Sequence, residues 1–432
     1  MEETTGLERK RFLMMLSSAF VIFFTGFPHV WSVYQPYVME QAGWSQTESS
    51  MCFYLALATF VFGNICGGRM MEKHGSGKVM WIGGWIFSAG VVLSAFLIVS
   101  TPVPFYLTYG VMQGFGQGMI YTTVVANAQK WFPGRTGFAS GIIVTANGLC
   151  GFFLAPISRR LLGQMGPKWT LFSIGMVIAA AWFISSILFS VPDEEWRLAR
   201  EAEILQKNGR NANLALTKQY TSKEMIGTKK FYYLLATMCF GLMSYFMLSP
   251  VSQSYQIEMG IPGSIAVSAV MIGSLMNAGT RLILPTIADR IGRIPCIRLV
   301  IIVSIGAMAV LGCANSYPVT AAIIVMYGCY GGIMGSFPSF TSSIFGLKHS
   351  GENYGFVMFG IVIATIGAPV ITSVITAGGL SMRIVFFTGM GFAVAALISL
   401  GMLQKAINKK EETGEKAYAI SDNEKIIGAC ER

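Results

Sequence analysis

The chain carries Gly68-Arg69-Met70-Met71-Glu72-Lys73-His74-Gly75 and, 217 residues later, Pro285-Thr286-Ile287-Ala288-Asp289-Arg290-Ile291-Gly292. Both segments have a small residue or proline, three variable residues, an acid, a base, one further residue and a glycine. Each follows an apolar run long enough to cross a bilayer. The simpler interpretation is two ordinary basic loops, but matching residues at matching offsets indicate that the chain consists of two related helical halves.

Working outward from these loops, the apolar pattern predicts an all-α integral membrane protein with twelve transmembrane helices. Hydrophobic residues make up 53% of the chain and charged residues only 12%, whereas soluble domains carry about 25% charged residues. We expect an N-terminal six-helix half at 1–191, a cytoplasmic linker at 192–230, a C-terminal six-helix half at 231–404 and a cytoplasmic tail at 405–432. The predicted spans are roughly 12–37, 47–68, 78–100, 104–128, 137–158, 169–191, 231–252, 264–287, 296–315, 319–340, 353–378 and 383–404.

The distribution of basic residues predicts the orientation. With both termini inside, the inner loops and tails hold 26 Lys and Arg residues and the outer loops hold four. This bias favours a multi-pass protein of the cytoplasmic membrane with both termini cytoplasmic. The net charge of +10 is therefore explained by topology, with the lipid bilayer rather than nucleic acid as the partner. We expect the chain to function as a monomer.

Arg281 is the one Lys or Arg residue that the sequence places deep inside a predicted span rather than in a loop, in a tail or at the end of a span. It follows Gly273-Ser-Leu-Met-Asn277-Ala-Gly-Thr, a stretch without Asp, Glu or Lys. An arginine at the bilayer centre costs roughly 3 kcal/mol on insertion scales, so a partner is expected, and an anion from outside the chain would serve. Asn277, four residues earlier, lies on the same helix face. The alternative is that Arg281 reaches the interface or binds backbone carbonyls.

The two loops resemble the signature loop of the major facilitator superfamily. Glu72 stands where that family usually has Asp, and Pro285 stands where it usually has Gly. The resemblance implies that a charge cluster in these loops holds the inward-closed state. The cluster would comprise Glu72, Lys73, Asp289, Arg290 and Arg293. The alternative role of these residues is to set topology, and the two roles are compatible.

Three further stretches resemble the oxalate:formate antiporter group: 114–121 with 130–137, 220–225, and 353–355. The pair Asn277 and Arg281 resembles both that group and the monocarboxylate transporters, in which the arginine binds the substrate carboxylate. The chain departs from the antiporter by having no Lys or Arg from 349 through 382, where the antiporter has a second cation. It departs from the animal monocarboxylate transporters by having Asn277 where they have Asp. One cation favours a monoanion over the dianion oxalate.

Other polar residues in the spans are weaker candidates for the site. Tyr121 and Tyr330 match aromatic positions of the resembling antiporters, and Tyr34 lies in a stretch similar to the family. Gln117 and Asn147 are polar residues within spans. Helix packing or an interfacial position is the alternative for each of them. His29 is a candidate proton carrier, with an ordinary hydrogen-bonded histidine as the alternative.

These features predict a secondary transporter of small organic anions, with monocarboxylates such as formate or lactate as candidates and oxalate less favoured. The mechanism would be alternating access, with anion exchange favoured because no carboxylate is expected near Arg281. A proton-coupled symporter is the alternative, and an anion sensor without transport is a remote one. The sequence has no phosphate-binding loop, metal-ligand cluster or nucleophile with a base, so we expect no enzyme activity, cofactor or metal.

Overall fold

The computed structural model describes residues 2–99, 101–193, 195–197, 200 and 219–430, and no strand occurs among them. A π-helix at Tyr106–Gln113 leads directly into α6, and short 3-10 helices lie at Phe27–Val30 and Ser249–Val251. The α-helices are α1 (Glu2–Phe24), α2 (Trp31–Ala42), α3 (Gln46–His74), α4 (Ser76–Ser94), α5 (Val103–Phe105), α6 (Gly114–Trp131), α7 (Thr136–Leu188), α8 (Ser222–Ile226), α9 (Lys229–Leu248), α10 (Ser252–Glu258), α11 (Gly263–Ile291), α12 (Arg293–Cys313), α13 (Tyr317–Phe345), α14 (Ser350–Val357), α15 (Phe359–Ala377) and α16 (Met382–Cys430).

Within the described residues, nine helices are long and apolar enough to cross a membrane. One of them, α7, is 53 residues long, and Gly166, with a φ of 72°, divides it into two segments. Glycine adopts this conformation without the penalty of a Cβ, and Pro167 then starts the second segment. With α7 counted as two, the nine helices give ten segments of the all-α fold. The eleventh is the broken first span, made of α1 and α2, and the twelfth is the π-helix together with α6.

The helix bounds differ from the predicted spans in several places. The first span is not one helix, because residues 25–30 leave the α conformation. The predicted loop between the fifth and sixth spans is helical up to Gly166. α3, α11 and α13 extend past their apolar runs by several residues, and α16 continues through Cys430 into the predicted tail. Polar residues continue these helices because a backbone already hydrogen-bonded in a helix propagates more easily than it stops.

A belt of exposed apolar side chains surrounds the bundle. It includes Phe12, Trp85, Ile187, Leu275 and Val374, each at least half exposed. Apolar surface on this scale is not left in contact with water by a soluble monomer. The belt therefore identifies the surface that faces lipid.

The two halves meet near Gly75 and Gly292, and we call this end of the bundle the loop end. There α7 packs on α11 and α14 packs on α3. Gly137 lies against the backbone of Pro285, and Gly68 lies against the backbone of Glu352, each so closely that a Cβ would collide. The halves are thus in backbone contact at the loop end. Residues 201–218 of the predicted linker lie outside the described residues.

Candidate anion site between the two halves

The crossing of α11 with α13 fixes the position of Arg281. Gly331 and Gly335 of α13 lie so close to α11 that a Cβ on either would collide with the backbone oxygen of Asn277 or Arg281. At the same crossing, Thr280 Oγ1 donates a hydrogen bond to the Gly328 carbonyl at 2.8 Å. Small residues on one helix face allow such an approach. The backbone of Arg281 is therefore held firmly, and its side chain extends toward α7.

Arg281 is only 4% exposed, and its hydrogen-bond partners are neutral. Nε donates to Asn277 Oδ1 at 2.9 Å, and Nη1 donates to the Val144 carbonyl at 3.2 Å and to Asn147 Oδ1 at 3.3 Å. The guanidinium also lies beside Gly148 of α7, where an added Cβ would be 3.4 Å from it. Among the described residues, no carboxylate forms an ion pair with Arg281. Amide dipoles solvate the charge without neutralising it.

An aromatic stack lies on the other side of the guanidinium. The Cζ atom of Arg281 is 5.5 Å from the centre of the Tyr330 ring, within cation–π range. Tyr245 of α9 stacks on Tyr330 with ring centres 4.1 Å apart and planes inclined by 13°. The two rings fix the orientation of the guanidinium by contact with a π-face, which adds no negative charge to the site.

The break in the first span supplies polar groups to the site. Thr25 directly follows α1, and its carbonyl accepts a hydrogen bond from Gln117 Nε2 at 2.6 Å. Thr25 Oγ1 accepts one from Asn147 Nδ2 at 3.0 Å. Gln117 Oε1 in turn accepts from Gln113 Nε2 at 3.1 Å. Both polar atoms of the Gln117 and Asn147 side chains are thus occupied, and these residues orient Arg281 through one connected network.

A cavity of about 60 Å³ opens beside Arg281, between the two halves. This is well above the roughly 10–15 Å³ needed to hold one water molecule. No acidic side chain is among its lining residues. Elsewhere in the described residues, no cluster of His, Cys, Asp or Glu is arranged to hold a metal ion. The lining comprises Tyr54, Leu57, Ala58, Phe60, Val61, Gln117, Tyr121, Asn147, Arg281, Tyr330, Met334, Met358, Ile361, Val362, Thr365 and Ile366.

Most of the seven predicted substrate-binding residues meet at this cavity. Five line it, namely Arg281, Tyr121, Tyr330, Gln117 and Asn147. Asn277 is not in the lining and instead holds Arg281 Nε. Tyr34 is not in the lining either, and its hydroxyl donates to Ser158 Oγ at 2.9 Å. The His29 side chain lies outside the described residues.

Sequence reasoning missed Thr365, Tyr54 and Tyr245. Thr365 belongs to a helix face on which Met358, Ile361, Val362, Thr365 and Ile366 recur at helical spacing. The sequence shows this helical spacing, but in an apolar span the same spacing is found on faces that pack against other helices. Tyr54 lies on the α3 side of the cavity. Tyr245 is not in the cavity lining and contacts the site by stacking on Tyr330. No local sequence pattern predicts that contact.

At the loop end, Asp289 connects the two halves. Its carboxylate accepts hydrogen bonds from the backbone N–H groups of Gly137 at 3.0 Å and Phe138 at 2.9 Å, at the beginning of α7. Arg293 Nη2 donates to Asp289 at 3.1 Å and to Thr136 Oγ1 at 2.8 Å. A carboxylate at a helix N-terminus accepts otherwise unpaired N–H groups and interacts favourably with the helix dipole.

The repeated loop in the first half makes different contacts. The Glu72 carboxylate pairs with the side chain of His349, the residue directly before α14, and among the described residues no backbone N–H is seen to donate to it. Its neighbour Arg69 pairs with Glu352 of α14. The structure leaves Lys73 and Arg290 exposed at this end. The loop end is therefore closed by unlike contacts in the two halves.

Comparisons with known proteins identify the family. The oxalate:formate antiporter of Oxalobacter formigenes is 24% identical over 437 residues, covering 98% of each chain. Human monocarboxylate transporter 11 is 25% identical over 363 residues, covering 82% of this chain and 69% of its own. A crystal structure of a double-tryptophan variant of XylE superposes with a TM-score of 0.73 at 12% identity, covering 92% of this chain and 96% of that one, and supports the fold alone. Residues 14–369 match the profile of the Major Facilitator Superfamily. The chain accordingly belongs to the Major Facilitator Superfamily, a family of membrane transporters and not of enzymes.

Proposed function

We propose that this transporter exchanges small monocarboxylate anions by alternating access. The observation that carries the proposal is Arg281, a buried guanidinium with neutral partners at a cavity between the halves. Arginine suits a carboxylate because its planar group donates two parallel hydrogen bonds. Asn277 and Asn147 orient the group for that role.

The charge and size of the cavity favour a monoanion. One cation lines it, and most of the other lining side chains are apolar. A second carboxylate would lie uncompensated in an apolar environment, which is costly. The cavity, of about 60 Å³, is small and favours small acids over large ones. Formate and lactate are therefore the leading candidates, and oxalate is less favoured.

Exchange follows from the unpaired charge. The empty cavity holds an uncompensated cation, so the empty transporter should reorient slowly, whereas the loaded one is neutral and should reorient readily. No carboxylate lines the cavity to carry a coupling proton. We propose the cytoplasmic membrane as the location, the monomer as the functional unit and both termini in the cytoplasm, which makes the loop end cytoplasmic.

Counterflow in proteoliposomes tests the proposal. Vesicles are loaded with unlabelled formate, lactate, acetate or oxalate and diluted into the matching labelled anion at two pH values. We expect a transient overshoot with a monocarboxylate that does not depend on a proton gradient. Uptake that requires an inward proton gradient would support symport instead. Saturable binding without flux would identify a sensor, and absence of both would overturn the carboxylate assignment.

A further inference from the structure

Two buried hydroxyl groups at the cavity have hydrogen-bonding capacity that the described residues leave unused. Thr365 of α15 is 7% exposed and Tyr121 of α6 is 2% exposed. Thr365 Oγ1 has no hydrogen-bond partner among the described residues, and the hydroxyl of Tyr121 lies near only that of Tyr354. Both Thr365 and Tyr121 line the cavity. Buried hydroxyls in proteins nearly always have a partner. A partner is therefore expected from the contents of the cavity.

Thr365 lacks the backbone hydrogen bond that many threonines of this chain make, as does Thr372 on the same helix. A helical threonine usually donates to the carbonyl four residues earlier. Thr123 does so at 2.8 Å, and Thr376 does so at 3.0 Å. Thr365 makes no such bond, so its hydroxyl stays available. Other unpartnered hydroxyls, such as those of Tyr109 and Thr372, belong to residues outside the cavity lining.

The two hydroxyls come from different helices than the cation. Arg281 lies on α11 and is held by α7, whereas Tyr121 lies on α6 and Thr365 on α15. The lining between these groups includes Ile361 and Met358. The cavity therefore offers a site for one negative charge, an apolar wall, and uncharged hydroxyl groups that suit a second oxygen.

We propose that Thr365 and Tyr121 bind a second, uncharged oxygen of the transported anion, and that they make the site selective for hydroxylated monocarboxylates. This inference rests on the proposed function and narrows its substrate class. A hydroxyl group on the substrate both donates and accepts, so it satisfies either side chain. A site built around such a bond rejects the analogue that lacks it, because the buried hydroxyls then stay unpaired.

The test compares acids that differ by one hydroxyl group. Counterflow of labelled propionate, lactate and 3-hydroxypropionate is measured with the full chain in proteoliposomes, and an apparent KM is obtained for each. We expect at least one hydroxy acid to have a KM about 3- to 10-fold below that of propionate, the range given by one net hydrogen bond. Two hydroxylated isomers are needed because the position of the second oxygen is not assumed.

Isosteric variants then assign the preference to the two residues. Thr365→Val and Tyr121→Phe should each bring the KM ratio close to one, because each removes a hydroxyl that would bind the second oxygen. Thr365→Ser, which keeps the hydroxyl, should preserve the ratio. Matched controls are Thr372→Val on the same helix and Tyr109→Phe, which remove unpartnered hydroxyls outside the cavity lining and should preserve it.

The possible failures are distinct. Equal KM values for the three acids in the parent would overturn this inference while leaving monocarboxylate exchange intact. A preference that survives both Thr365→Val and Tyr121→Phe would also overturn it. Absence of counterflow with every carboxylate would overturn the proposed function, and this inference with it.

Discussion

The carboxylate of Asp289 lies 3.0 Å from the backbone nitrogen of Gly137, across 152 residues of sequence. This contact joins a loop of the second half to the beginning of a helix in the first. The corresponding acid of the other loop, Glu72, pairs with His349 instead. The two loops are therefore similar in sequence but make different contacts with the opposite half of the bundle.

Asp289→Asn should weaken closure at the loop end. The variant keeps the shape of the side chain but loses the charge that accepts two N–H groups and pairs with Arg293. Hydrogen bonds to charged groups contribute about 1.5–3 kcal/mol, so we expect a shift of about 10- to 100-fold toward an open loop end. Distances between spin labels on the two halves would measure it. The exposed neighbour Arg290, changed to Gln, should leave the distribution unaltered, and an equal effect of both variants would contradict this role.

Arg281→Gln should abolish productive anion binding. The variant removes the only guanidinium of the cavity lining and should cost about 2–5 kcal/mol, or 30-fold or more in affinity. Arg281→Lys keeps the charge without the planar fork and should be intermediate. Counterflow kinetics would measure both. Arg383→Gln, away from the cavity where Arg383 donates to Asn315, is the control. Carboxylate exchange at the parental rate in properly folded Arg281→Gln would refute the site.

Asn277→Asp should make transport dependent on pH. The new carboxylate would lie beside Arg281 Nε, which Asn277 now contacts at 2.9 Å, and an internal ion pair would compete with the substrate. The pKa of an Asp beside Arg is depressed, so the carboxylate stays charged at neutral pH and releases Arg281 only as the pH falls toward that pKa. We expect a raised apparent KM at pH 7 that recovers at acidic pH. Asn277→Ala should lack the recovery, and a flat pH profile in the Asp variant would argue against competition.

Gly335→Ala should force α13 away from α11. A Cβ at Gly335 would lie 2.5 Å from the Arg281 carbonyl oxygen, which is backbone and cannot rotate aside. Overpacking of this kind costs about 1–3 kcal/mol, so thermal unfolding in detergent should occur several degrees lower and the apparent KM should rise. Gly306→Ala, on α12 with no neighbour within 4 Å, should be neutral or stabilising. If the two variants unfold at the same temperature, the helix crossing is looser than described.

The sequence revealed those features that are chemically unusual at membrane depth. Arg281 was recognisable because a lone charge in an apolar run requires an explanation, and the fold was recognisable from the repeated loops. The interpretation of Tyr34 as a site residue did not anticipate its hydrogen bond to Ser158, 124 residues away. Such a pairing depends on how helices pack, which periodicity does not encode. Thr365 was overlooked because threonine is unremarkable in a membrane helix until its usual carbonyl partner is found to be unused.

The neutral hydrogen bonds around Arg281 also have an electrical consequence. Because Asn277, Asn147 and the Val144 carbonyl are dipoles without net charge, the empty cavity carries a full positive charge and a monoanion cancels it. Each elementary charge moved through 100 mV changes the free energy by about 2.3 kcal/mol. Membrane voltage should therefore act on the reorientation of the empty transporter and not on that of the loaded, neutral one. One-for-one exchange should run without electric current. Reorientation of the empty transporter should produce a current.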